Sequence, residues 1–207
     1  MTRTYPHSIP VAVPDGQSGL WAVETFTVTA ADENSSRVRA ALDRKLLRDI
    51  VKAGTYKRLV QYTDASMHRG GETVMSNVDM EIKTNWEFLR EARGRILING
   101  LGLGMTLAYL LDFDDVTSIT VVEASADVIR LVAPTYVTDR RVAIVHADAF
   151  EYRPRGQYDY VWHDIWTFIS ADNLDGMKKL HRRYGRRTRW QASWRRGDCE
   201  DHARRCR

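Results

Sequence analysis

Three carboxylates in this 207-residue chain stand at the ends of short apolar runs. Glu123 closes S-I-T-V-V-E, Asp148 follows the run Val142 to His146 by two residues, and Asp164 closes the run that begins at Tyr158. A carboxylate so placed can accept hydrogen bonds from the hydroxyls or amines of a ligand, or take a proton from an attacking nucleophile. A fourth run, Arg95 to Asn99, leads into three alternate glycines, Gly100, Gly102 and Gly104, within R-I-L-I-N-G-L-G-L-G-M-T-L-A-Y-L-L. Glycines take up the left-handed conformations of a tight corner, so the backbone N–H groups of such a loop can gather around a carboxylate or phosphate. Together these groups describe a cradle for a polar small molecule, with Asp164 the best placed for chemistry.

Bringing them to one edge requires a parallel sheet. The runs are rich in β-branched and leucyl residues, the pattern of strands buried on both faces. Between them lie helical stretches: Met105 to Leu111; about Ser125 to Val132, with Ser125 as N-cap and Asp127 in the first turn; and one beginning at Ser170, acidic at its start and basic at its end. Arg187 to Trp194 reads as a fifth strand. The alternation predicts a Rossmann-like, three-layer α/β fold with a mostly parallel sheet, shortened after strand five or covered by a partner on its open side. Ligands of such sheets sit outside the strands' carboxyl ends, which puts His163, Asp164 and Trp166 beside the reacting atoms. Alternation turns His163 away from Asp164 and into the core. Trp162 and Trp166 either stack on a planar substrate or pack in the interior.

The glycine spacing narrows the ligand. A dinucleotide fingerprint wants its third glycine at the sixth position, where this chain has Met105, so hydride transfer with a nicotinamide is a minority reading. Glu123 lies 19 residues past Gly104, near the spacing of about 20 at which a strand-end acid meets ribose hydroxyls. Asp148, past the third strand, is placed to accept from an adenine amine. The phrases I-L-I-N-G-L-G-L-G-M-T, I-T-V-V-E-A-S-A-D-V-I, D-R-R-V-A-I-V-H-A-D-A-F and Q-Y-D-Y-V-W-H-D resemble the nucleotide-binding half of class I S-adenosylmethionine-dependent methyltransferases, and within them the spermidine synthase branch of polyamine aminopropyltransferases. The likeness spans residues 95 to 168.

It implies S-adenosylmethionine, or its decarboxylated form, held by the backbone of Asn99, Gly100, Leu101, Gly102 and Gly104 at the methionine end. Glu123 and Ala124 would lie at the ribose, and Asp148 and Ala149 at the adenine. It also implies Asp164 as the residue that orients an amine and receives its proton. The aminopropyltransferase pattern continues with a second aspartate and a proline, where this chain has Thr167 and Phe168, and the N-P-P-Y signature of adenine and glutamine N-methyltransferases is absent. Three functions follow: a methyltransferase with an unidentified small acceptor, an aminopropyltransferase, or a scaffold that kept the cradle without the chemistry.

Composition fits a globular protein, with 43% apolar and 28% charged residues and no apolar run of membrane-spanning length. The N-terminus lacks the apolar core of a secretory signal, so a cytoplasmic location is expected. Cys199 and Cys206 supply neither a disulfide framework nor a metal site, and no metal is required. Residues 1 to 177 carry 19 basic and 24 acidic groups, whereas residues 178 to 207 carry 12 basic and 3 acidic, so the net charge of +4 belongs to the C-terminal end. Trp190 and Trp194 among its arginines raise the possibility of nucleic-acid contact, but a solvated helix end and frayed terminus is favoured.

Ahead of the central strand, residues 1 to 19 read as a mobile or extended arm, Trp21 to Thr29 as a strand and about Arg37 to Val51 as a helix with the stripe Val38, Leu42, Leu46 and Ile50. Tyr56 to Tyr62 and Glu72 to Met75 read as two strands, and Asp79 to Ala92 as a helix whose Ile82, Trp86 and Leu89 pack on the sheet. Glu81, Asn85 and Met75 to Asn77 are possible lid elements. The expected divisions are 1–78 for the N-terminal arm and small subdomain, 79–195 for the nucleotide-binding domain and 196–207 for a basic tail. A small-molecule substrate is expected, a homo-oligomer is possible, and no membrane contact is foreseen.

Overall fold

The computed structural model describes residues 3–35, 51–63 and 71–206. Residues 37–50 of the helix carrying Val38, Leu42, Leu46 and Ile50 lie outside the described residues. Two sheets organise what is described. The smaller is antiparallel, β1 (Gly16–Ser18), β2 (Trp21–Val28), β3 (Gly54–Gln61) and β4 (Glu72–Ser76) in that order. The larger holds β5 (Gly94–Asn99), β6 (Val116–Glu123), β7 (Val142–His146), β8 (Tyr158–His163) and β9 (Thr188–Ser193). Its strands run β7-β6-β5-β8-β9, with every pair parallel.

Strands buried on both faces need cover on both. Helices α1 (Asp79–Glu91), α2 (Met105–Leu110) and α3 (Ala126–Tyr136) share one cluster with Ile96, Ile98, Ile119, Val121 and Trp162. Opposite, α4 (Asn173–Tyr184) sets Leu180 and Tyr184 against Leu97 and Val161. This is the Rossmann-like α/β architecture that the alternation predicts. Phe88 of α1 stacks on Trp162 with ring centroids 5.1 Å apart, so Trp162 is a core residue and does not meet a substrate.

Register brings the functional residues level. Asn99 pairs with Val122 and with His163, and His163 pairs with Ser193. The next residues along, Gly100, Glu123, Asp164 and Trp194, therefore form one row at the carboxyl edge. The strand order reverses between β5 and β8, the place where ligands enter open α/β sheets.

The N-terminal arm is extended but pinned. Ile9, Val11 and Val13 are buried in the main cluster, and Arg3, 8% exposed, donates to Leu89 O at 2.7 Å and pairs with Asp115 at 2.7 Å. Of the two expectations for this segment the extended arm is the one seen, because apolar alternation supplies a docking stripe even without a helix or strand. Where a frayed terminus is expected, α5 (Arg196–Arg205) is helical, with Cys199 fully buried. Among the described residues no helix is long and apolar enough to cross a membrane, and no cluster could hold a metal ion.

Candidate active site

A cavity of about 670 Å³ opens at the reversal point, between the parallel sheet's carboxyl edge and the N-terminal sheet. Gly100, Leu101, Gly102, Glu123, Ala124, Asp148, Ala149 and Asp164 all line it. Asn99 and Gly104 do not. The Asn99 side chain is fully buried, lying 2.7 Å from His163 Nδ1 and 3.1 Å from the Tyr184 hydroxyl, while its carbonyl accepts from Asp164 N–H at 2.8 Å. Gly104 forms the left-handed corner ahead of α2, with the Tyr136 ring where a Cβ would be.

The corner depends on what glycine lacks. Gly100 has φ 101°, and a Cβ there would lie 2.0 Å from the Asp164 carbonyl oxygen, a backbone atom with no freedom to move aside. The loop thus sits directly on the chain that carries Asp164. Over Gly102 lies Met75 of β4, whose sulfur accepts from Leu103 N–H at 3.4 Å. Of the expected lid residues, Met75 covers the loop, whereas Asn77 is tied to Lys57 N–H and the Ile9 carbonyl.

Glu123 points at the glycine corner. Its Oε2 accepts from Leu101 N–H and its Oε1 from Ser125 N–H, both at 2.8 Å. Each oxygen keeps a further lone pair toward the cavity. Asp148 accepts from Phe150 N–H at 2.7 Å, which fixes the turn after β7, and its side chain is exposed at the cavity's far end.

At the other end stands a second acid that sequence reasoning placed only as a lid element. Glu81, in the first turn of α1, lines the cavity together with Asp164. Burial pushes the Glu81 carboxyl up to about 7, partly offset by the Arg195 charge. Asp164 is pushed up to about 7 as well, first by burial and then by the negative charge of Glu81, with the Trp162 indole N–H opposing. Two like charges sharing poorly solvated space disfavour each other's ionisation. Among the described residues the Glu81 carboxylate has no hydrogen bond or salt bridge. Arg195, the basic residue of the lining, places its Nε 2.9 Å from Asp198.

Polar bonds hold this end in place. Trp162 Nε1 donates to Asn85 Oδ1 at 3.0 Å, and Trp194 Nε1 donates to Thr84 Oγ1 at 3.0 Å, so α1 is tied to the ends of β8 and β9. His163 points the other way, as alternation predicts. It is fully buried, 3.2 Å from Gln191 Oε1, outside the cavity lining, and burial pushes its pKa down to about 3, which favours the neutral ring. Trp166 does line the cavity, as do the exposed Met80, Phe168 and Ile169. One signal in the sequence pointed to Glu81: Glu81, Thr84 and Asn85 recur at helical spacing as a polar face on a helix whose other face is apolar.

No family model matches the chain, and no curated protein matches it. Among solved structures, a DhpI–SAM–HEP complex is 17% identical with a TM-score of 0.45, over 84% of this chain and 73% of that one. A DhpI–SAH complex is 23% identical with a TM-score of 0.41, over 51% of this chain and 50% of that one. The StiE O-MT structure is 15% identical with a TM-score of 0.43, over 54% of this chain and 41% of that one. The chain thus spans half or less of the length of the latter two. The site's own geometry, not these likenesses, supports the function that follows.

Proposed function

We propose that the protein is an S-adenosylmethionine-dependent methyltransferase acting on a small acceptor. The observation that carries this is Glu123, whose carboxylate braces the Leu101 N–H of the glycine corner while facing the cavity. A vicinal diol can use the lone pairs that Leu101 and Ser125 leave free. A volume of about 670 Å³ is within the usual range for a ligand of this size. Met105, fully buried beneath the corner, occupies the position where a dinucleotide site wants glycine, which argues against a pyrophosphate.

S-adenosylmethionine, when bound, supplies a methyl group on a positively charged sulfur. Around it, Gly100 to Gly102 would hold the methionine end, Glu123 and Ala124 the ribose, and Asp148 with the Ala149 backbone the adenine. Asp164, held by the Asn99 carbonyl and with its carboxyl pushed up by burial and by Glu81, is suited to receive a proton from the acceptor. Acceleration then comes chiefly from positioning two reactants in a partly enclosed space.

Thermal-shift measurements on wild type and Glu123→Ala, with S-adenosylmethionine, its decarboxylated form, S-adenosylhomocysteine and NAD, test the proposal. S-adenosylmethionine and S-adenosylhomocysteine should raise the melting point of wild type and much less that of the variant. Preference for the decarboxylated ligand would instead favour aminopropyl transfer, and stabilisation by NAD alone would overturn both.

A further inference from the structure

The wall of the cavity opposite Glu123 has a composition of its own. Among the described residues Glu81 and Asp164 face it without a salt bridge; Arg195, in the same lining, lies 2.9 Å from Asp198 and offsets the Glu81 charge only in part. Around them stand the rings of Trp166 and Trp194, and toward the mouth Phe168 and Met80 are 63% and 38% exposed. Two carboxylates without a salt bridge attract a cation, aromatic faces add to that attraction, and an apolar mouth suits a hydrocarbon body.

We propose that the acceptor is an amphipathic monoamine, seated with its ammonium group between Glu81 and Asp164 and its apolar body against Trp166 and Phe168. The remaining acids of the lining, Glu123 and Asp148, belong to the cofactor end, so a diamine would bring its second charge to an apolar mouth. Glu81 is the specificity-determining residue, and it selects a cation over a carboxylic acid or a neutral alcohol. The ammonium yields one proton to Asp164. The freed nitrogen lone pair would form the new N–C bond while the C–S bond breaks with its pair going to sulfur, which leaves a neutral thioether and an N-methylammonium ion that carries the positive charge. This inference rests on the transferase reading of the same cavity.

Calorimetric titration with phenethylamine, 2-phenylethanol, 3-phenylpropionate and putrescine, each with and without S-adenosylhomocysteine, separates the two. Phenethylamine should bind, at least tenfold more tightly than any of the other three. Glu81→Gln should weaken phenethylamine at least tenfold while leaving S-adenosylhomocysteine affinity within twofold of wild type. Phenylpropionate or putrescine binding as well as phenethylamine, or Glu81→Gln having no effect on the amine, would overturn the proposal. Because the ligand series is compared on wild type, the result does not depend on how the variant folds. If S-adenosylhomocysteine itself fails to bind, the cofactor reading falls, and the titrations without it still decide the amine seat.

Discussion

Replacing Glu81 with glutamine should make the folded protein more stable at alkaline pH, and the size of the effect follows from the cavity. A carboxyl raised from 4.5 to about 7 holds its proton more tightly in the folded chain than in the unfolded one. Unfolding then releases protons, so stability falls as pH rises from about 4.5 to about 7 and levels off above. At ~1.4 kcal/mol per pKa unit, a rise of roughly 2.5 units sets a ceiling of ~3 kcal/mol at pH 8.5. Water in the cavity screens part of this, so a gain of about 2 kcal/mol is expected. At pH 5 the folded carboxyl is already neutral, and the gain should shrink below about 1 kcal/mol. Urea unfolding followed by tryptophan fluorescence at both pH values measures the difference. A variant less stable than wild type at pH 8.5, or one whose advantage is the same at both, would refute the idea that an unpaired carboxylate faces this cavity.

Asp164→Asn should lower turnover by about 10²- to 10⁴-fold, the usual scale of a lost general base, while calorimetry shows unchanged S-adenosylhomocysteine affinity. Gly100→Ala should cost at least about 2 kcal/mol in urea unfolding, because alanine disfavours a positive φ and its methyl group meets the Asp164 carbonyl; a loss under about 0.5 kcal/mol would mean the corner can relax. Arg3→Ala should cost about 2 kcal/mol by the same assay, since the Leu89 carbonyl loses its donor and Phe113 its stacked guanidinium. If the arm contributes nothing to the fold, that variant will unfold with wild type.

Much of this site could be read locally. Apolar runs, their spacing and the glycine corner are properties of neighbouring residues, so β5 to β9 fall within a few residues of their expected positions, and Val142–His146 matches its expected bounds. Glu123 was legible because a strand end and a following turn fix where its carboxylate goes. The direction of His163 was legible too, since alternation needs no knowledge of the partner strand. The arm was harder: Ile9, Val11 and Val13 carry a period of two, but Pro6, Pro10 and Pro14 mask it as loop, and only the assembled core shows where they dock.

What the tertiary structure alone decided is the acidic end of the cavity. Glu81 and Asp164 belong to separate elements, and they meet because α1 packs over the sheet with Phe88 on Trp162 and Asn85 accepting the Trp162 indole N–H. Nothing local marks that meeting, since burial and electrostatic coupling depend on which distant surfaces exclude water. The chain's own pattern determined a parallel sheet with a ligand corner at one edge, and folding determined which carboxylates share the space beside it.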